Sequence, residues 1–135
     1  FASEASLRDA LGWIGAQEIH RGNVIDLLDA SLGEGGPPGA DSAPQTQTLA
    51  LCCGPKPMMA AAAAWCAARG IELRVSLEER MGCGYGACAG CTCRTRPVSG
   101  KPSSGPTIAG PDGTVKKKIC AHGPVFWGDE VVWDA

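Results

Sequence analysis

Four of the eight cysteines in this 135-residue chain crowd into residues 83–93. Cys83-Gly-Tyr-Gly-Ala-Cys88-Ala-Gly-Cys91 reads C-x4-C-x2-C, and Cys120 supplies a further sulfur downstream. That is the spacing of plant-type [2Fe–2S] ligation, in which four thiolates hold two irons bridged by sulfides. Such a cluster is net negative, so its sulfurs need hydrogen-bond donors. Gly82, Gly84, Gly86 and Gly90 let the chain bend around it and aim backbone N–H groups inward. The chemistry this predicts is electron transfer. A structural zinc site is the competing reading, but zinc more often takes paired C-x2-C knuckles, and here only Cys88 and Cys91 make one. A disulfide framework fits poorly, because its cysteines would be spread across the fold and accompanied by a secretory signal.

The other chemistry-bearing residues have plainer readings. Cys66, in an alanine-rich segment, reads as a small buried hydrophobe, and so does Cys52. Cys93 follows Cys91 as C-x-C, which in an extended chain points its sulfur the opposite way, so it reads as a bystander. His20 and His122 are isolated. His122 reads as a surface residue, with tuning of a cluster beside Cys120 as the alternative. The run Lys116-Lys117-Lys118 reads as a solvated strand face.

Composition limits the classes that remain. Hydrophobic residues make up 44% and charged residues 19%, while 19 Gly and 10 Pro imply much loop; one domain, or a small domain with an appendage, follows from the length. A net charge of −2 offers no basic footprint for nucleic acid. The longest apolar run, residues 58–68, is too short to cross a bilayer. Glu4, Arg8 and Asp9 stand where a signal peptide would be apolar. The expectation is a soluble, cytoplasmic chain. It opens on Phe1 rather than Met, as expected of a processed product or a fragment.

Four parts can be read along the chain. Residues 4–14 and 23–32 carry apolar residues at helical spacing and predict two short amphipathic helices. Residues 33–47 are rich in Gly, Pro and polar residues and predict an exposed loop. A strand at 48–52, a turn at Gly54-Pro55, a helix at 57–69 ended by Gly70 and an alternating strand at 71–77 together predict a βαβ unit of a parallel sheet. Ligands in such sheets bind at the carboxyl ends of the strands, which is where Cys53-Gly54-Pro55 would lie. From residue 78 on, the sequence predicts the cysteine loop and a Gly/Pro/Ser-rich excursion at 97–105. Two hairpins follow, one turning at Gly110-Pro111-Asp112-Gly113 and one at Gly128-Asp129. Such a lobe has little core, and a metal cluster would supply the missing stability.

Three stretches resemble the electron-transfer subunit of the NAD-linked bacterial dihydroorotate dehydrogenase, within the ferredoxin–NADP reductase superfamily. They are Cys53-Gly54-Pro55-Lys56-Pro57-Met58, then Ser76-Leu77-Glu78-Glu79-Arg80-Met81-Gly82 running through the C-x4-C-x2-C motif to Cys91, and finally Cys120-Ala-His-Gly123-Pro124-Val125-Phe126. Residues 22–28 look like the family segment that precedes them.

The resemblance implies Cys83, Cys88, Cys91 and Cys120 as cluster ligands and Cys53, Gly54 and Pro55 as the motif beside nicotinamide and flavin rings. It implies an α/β fold: residues 1–77 as the C-terminal part of a reductase-like, NAD-binding parallel-sheet domain, and residues 78–135 as a small β-rich [2Fe–2S] lobe. It also implies a heteromeric complex with a flavoprotein dehydrogenase subunit. There, electrons from dihydroorotate oxidation pass one at a time through the cluster to FAD and on to NAD, in pyrimidine biosynthesis. The family's flavin-binding barrel and pyrophosphate turn are absent from this sequence. The chain is therefore either the C-terminal portion of a longer protein or a short relative, and FAD and NAD lack full sites in it. A reductase subunit serving another oxidoreductase, a free-standing ferredoxin-like carrier and a zinc-stabilised interaction module remain as alternatives.

Overall fold

The computed structural model describes residues 22–32 and 48–133. The expected helix at 4–14, the 33–47 loop and His20 lie outside the described residues.

The first described helix, α1 (Val24–Leu32), starts where Asn23 caps it. The Asn23 Oδ1 accepts from the N–H groups of Ile25 and Asp26 at 2.8 and 3.1 Å, and Asp26 Oδ2 accepts the Asn23 N–H in return. These reciprocal bonds satisfy donors that a helix start leaves open. Strand β1 (Leu49–Cys53) then runs into α2 (Lys56–Ala68), an alanine-rich helix with proline in its first turn. Gly70 at φ +65 ends it, with the Ile71 N–H returning to the Cys66 carbonyl at 2.9 Å. Strand β2 (Glu72–Ser76) pairs in parallel with β1, Leu49 opposite Glu72 and Cys53 opposite Ser76, so the βαβ unit expected from the sequence is present.

The alternation read from the sequence has a physical result. Ile71, Leu73, Val75 and Leu77 are all buried, and they pack with Met59, Ala63, Trp65 and Cys66 of α2. On β1 the helix-facing side chains are Ala50 and Cys52, while Leu49 and Leu51 lie exposed on the opposite face. Helix α1 is tied to α2 by Asp29, whose Oδ1 accepts from Trp65 Nε1 and from Arg69, each at 2.7 Å, with Arg69 stacked on the Trp65 ring.

The remaining elements are β3 (Thr92–Thr95), β4 (Val115–Lys118), the single-turn helix α3 (Ile119–His122) and β5 (Val125–Trp127). Two expectations need correcting here. The turn at Gly110-Pro111-Asp112-Gly113 exists, with Gly113 N–H donating to the Gly110 carbonyl at 3.0 Å, but β4 finds its antiparallel partner in β3, far back along the chain. The second hairpin does not form. Strand β5 pairs instead with β2, Arg74 opposite Trp127, while Val131 bridges to Thr95. Burial decides this: pairing with β2 places Phe126 and Trp127 in the core, where a hairpin with 131–133 would have left them without a sheet to cover. The architecture is mixed α/β, a β1-β2-β5 sheet with parallel and antiparallel pairs beside a two-stranded antiparallel β3-β4 sheet.

The lysine run also departs from expectation. Lys116 is exposed, but Lys117 is 2% exposed and Lys118 half-buried. In a strand Lys117 shares a face with Val115, and that face is the buried one. Lys117 Nζ meets Glu130 Oε1 at 2.5 Å, and Ser103 hydrogen-bonds to both. The 97–105 excursion is thereby fastened to β4 and to the 128–131 turn.

Candidate metal centre

The cysteine loop hangs between two anchored ends. At its entry, Leu77 donates to the Pro124 carbonyl at 3.0 Å, and Lys56, just past Cys53-Gly54-Pro55, forms an ion pair with Glu79. The carboxyl end of β1 is in this way tethered to the segment that leads into Cys83. At its exit, Cys91 is buried ahead of β3, and the Ile119 N–H donates to its carbonyl at 2.9 Å, which joins the loop to the start of α3. Between these ends the chain turns sharply, with Gly84 and Gly86 at φ +75 and +93 and Ala89, the non-glycine exception, at φ +57. Thr92 Oγ1 donates to the Ala89 carbonyl at 2.6 Å and holds that turn. Gly82 serves by smallness, since a Cβ there would lie 3.2 Å from Cys88 Sγ.

The four sulfurs fall into two pairs. Cys91 and Cys120 have their sulfurs 3.2 Å apart, and Cys88 is joined to Cys83 through its backbone N–H, which donates to Cys83 Sγ at 3.4 Å. Backbone N–H groups point at them. Ala87 and Cys88 donate to Cys83 Sγ at 3.3 and 3.4 Å, Gly90 to Cys88 Sγ at 3.5 Å, and Cys120 to Cys91 Sγ at 3.4 Å. These donors favour thiolates. The backbone N–H of Cys88, ahead of those of Tyr85 and Ala87, lowers the Cys83 thiol to about 6, and the backbone N–H of Cys120 lowers Cys91. Cys120 is pushed up, chiefly by the hydrogen bond to its neighbour Cys91, with desolvation next and repulsion from the Cys91 charge adding to it. Among the described residues no three His, Cys, Asp or Glu side chains converge as a single-ion site would require. Two sulfur pairs wrapped by N–H donors suit a group with two metal atoms, and this donor set fits an iron–sulfur cluster.

The other cysteines behave differently. Cys66 is buried in the core, as expected, and Cys52 is half-buried on β1, with desolvation raising both thiols. Desolvation pushes Cys93 up to about 11, and it faces the Lys117–Glu130 pair rather than the loop. In metal-free protein at pH 7, iodoacetamide is therefore expected to alkylate Cys83 first and both Cys66 and Cys93 slowly, with the Cys83 rate falling as pH drops through about 6. Peptide mapping of labelled sites checks this order, and preferential labelling of Cys93 would contradict it. Cys53, Gly54 and Pro55 are exposed at the end of β1, Gly54 at φ +152 against the Met58 side chain.

His122 is not the surface residue expected. It is half-buried, its Nδ1 accepts the Lys118 N–H at 2.9 Å, and a Cβ on Gly105 would strike its ring. Sequence reasoning also missed Lys118, which donates from Nζ to the Gly86 carbonyl. Nothing in a run of three lysines marks it. Nor does the run mark the burial of Lys117, which depends on its partnership with Glu130.

Residues 78–102 match the family described as the iron-sulfur cluster binding domain of dihydroorotate dehydrogenase B. The chain is 32% identical over 108 residues to the dihydroorotate dehydrogenase B (NAD(+)) electron transfer subunit of Clostridium acetobutylicum, covering 80% of this chain and 37% of that protein. It is 45% identical over 80 residues to the corresponding subunit of Geobacillus sp. (strain WCH70), covering 59% of this chain and 25% of that one. A solved structure of an NADH-dependent reduced ferredoxin-NADP oxidoreductase, described in connection with flavin-based electron bifurcation, matches with a TM-score of 0.54. That match has 25% identity and spans 87% of this chain and 33% of that one. The chain is thus similar to the dihydroorotate dehydrogenase B electron transfer subunits, of whose length it spans between a quarter and just over a third, and its match to the iron–sulfur cluster binding domain is confined to residues 78–102.

Proposed function

We propose that residues 78–135 form a lobe in which Cys83, Cys88, Cys91 and Cys120 hold a [2Fe–2S] cluster, and that the chain relays electrons for an NAD-linked dihydroorotate dehydrogenase of pyrimidine biosynthesis. The observation that carries this reading is the pairing of Cys83 with Cys88 and of Cys91 with Cys120, each pair supplied with backbone N–H donors, inside the segment that matches the iron–sulfur domain. When bound, such a cluster supplies one-electron transfer, which suits passage between flavins that accept one electron or two. The chain's own residues supply the ligands, the donors that stabilise charge on the sulfurs, and the walls around Cys91. The neighbouring redox centre belongs to a flavoprotein dehydrogenase subunit. FAD and NAD, whose full sites are not in this chain, would meet it beside Cys53-Gly54-Pro55 at the carboxyl end of β1, which the Lys56–Glu79 ion pair keeps close to the cluster loop. Tyr85 and Met81, exposed on and beside that loop, together with exposed Val125, offer the partner an apolar contact.

Protein purified without oxygen is expected to be red-brown, to bleach on dithionite and to contain two irons and two sulfides per chain. Colourless protein with stoichiometric zinc would overturn the reading. Cluster reduction by NADH in the presence of the flavoprotein partner, and not with the chain alone, tests the assignment of the partner.

A further inference from the structure

Lys118 ends β4 half-buried, and its ammonium donates to the carbonyl oxygen of Gly86. That oxygen belongs to the peptide unit between Gly86 and Ala87. The N–H of the same unit, on Ala87, donates to Cys83 Sγ at 3.3 Å. A peptide group is resonance-delocalised, so a cation at its oxygen draws charge through the unit and makes its N–H a stronger donor. Lysine, peptide and sulfur form one chain of hydrogen bonds.

The peptide is held in this orientation from both sides. Gly86 sits at φ +93, where L side chains are strained, and a Cβ there would approach Ala121 to 3.0 Å. Lys118 is itself fixed, because its N–H donates to His122 Nδ1 at 2.9 Å. The sequence offers three lysines in a row, but Lys116 is exposed and Lys117 is committed to Glu130, which leaves Lys118 alone of the three reaching the cysteine loop.

We propose that Lys118 is a positioning residue which, through the Gly86–Ala87 peptide, strengthens N–H donation to Cys83 Sγ and so favours the reduced form of the cluster. This rests on the cluster reading above. Reduction adds one electron and breaks no bond, and the added negative charge is stabilised by a polarised donor and a nearby cation.

The test compares Lys118→Met and Lys118→Arg in the full chain, with two readouts. The first is the midpoint potential of the loaded protein. Lys118→Met is expected to shift the oxidised-to-reduced ratio at a fixed poise about tenfold toward oxidised, about 59 mV lower for a one-electron couple, with Lys118→Arg restoring most of the difference. The second is hydrogen exchange of the Ala87 amide in metal-free protein, expected to accelerate in Lys118→Met and not in Lys118→Arg. Should Lys118→Met not fold, Lys118→Gln carries the same expectations. An unchanged potential in the loaded variant overturns the proposal, even with a lowered melting temperature, and so does unchanged Ala87 exchange. If the parent chain assembles no cluster, the cluster reading fails by itself, and the Ala87 amide alone decides whether Lys118 acts on that peptide.

Discussion

Serine at any one of Cys83, Cys88, Cys91 or Cys120 is expected to cut cluster occupancy at least about tenfold, since even changes one shell removed from a metal cost 10–100-fold in affinity. A serine oxygen is a harder and less readily ionised ligand than a thiolate, and it forfeits the N–H donors already aimed at sulfur. Those donors are distributed so that Cys83 and Cys91 receive most of them, at 3.3 to 3.4 Å. Cys66→Ser and Cys93→Ser are expected to keep the cluster. The first places a hydroxyl in the core beneath α2, and the second alters a side chain that faces the Lys117–Glu130 pair. Iron and sulfide content per chain measures all six variants. Loss of the cluster in Cys93→Ser together with its retention in Cys91→Ser would shift the ligand register.

Lys117→Met is expected to destabilise the metal-free protein by about 3–5 kcal/mol, because it strands Glu130 as an uncompensated buried charge. Both side chains are 3% exposed, so water does not screen them. Glu130→Gln should cost a similar amount by stranding the lysine. The double variant Lys117→Met/Glu130→Leu is expected to recover most of the loss, since a well-packed apolar pair often equals a buried ion pair. Urea denaturation followed by tryptophan fluorescence reads each change. A loss under about 1 kcal/mol in Lys117→Met would mean that the pair behaves as a surface bridge.

The sequence was most legible where one periodicity governs one element. The alternation of residues 71–77 and the alanine run before it specify β2, α2 and their parallel partner β1, because each local preference agrees with the burial it leads to. The segment that matches the iron–sulfur domain was legible for a different reason: its cysteine spacing is a motif in itself. What failed was pairing over distance. The segment 125–127 and the segment 131–133 both read as strands joined by a tight turn, and local chemistry favours a hairpin there. Only the availability of β2 as a neighbour, many residues earlier, decides otherwise. The lysine run failed similarly, since the charge that buries Lys117 comes from Glu130 and no sequence interval announces that partnership. His122 looked isolated in sequence because its partner is a backbone N–H.

Strand β5 lies directly against β2, with Gly128 N–H donating to the Leu73 carbonyl at 2.8 Å and Leu77 N–H to that of Pro124 at 3.0 Å. Everything between those strands leaves the sheet and returns to it at neighbouring rungs, like a loop drawn shut at its neck. The entropy of closing such a loop grows only with the logarithm of its length. Residues 97–113 lie within it and outside any strand or helix, so inserting or deleting a few residues there costs the neck little, provided Lys101, Pro102 and Ser103 keep their places against Asp129, Trp127 and Glu130. Shifting β5 by a single rung would instead turn Phe126 outward and break the closure itself. Variation in length is thus tolerated at the rim of the lobe and penalised at its base.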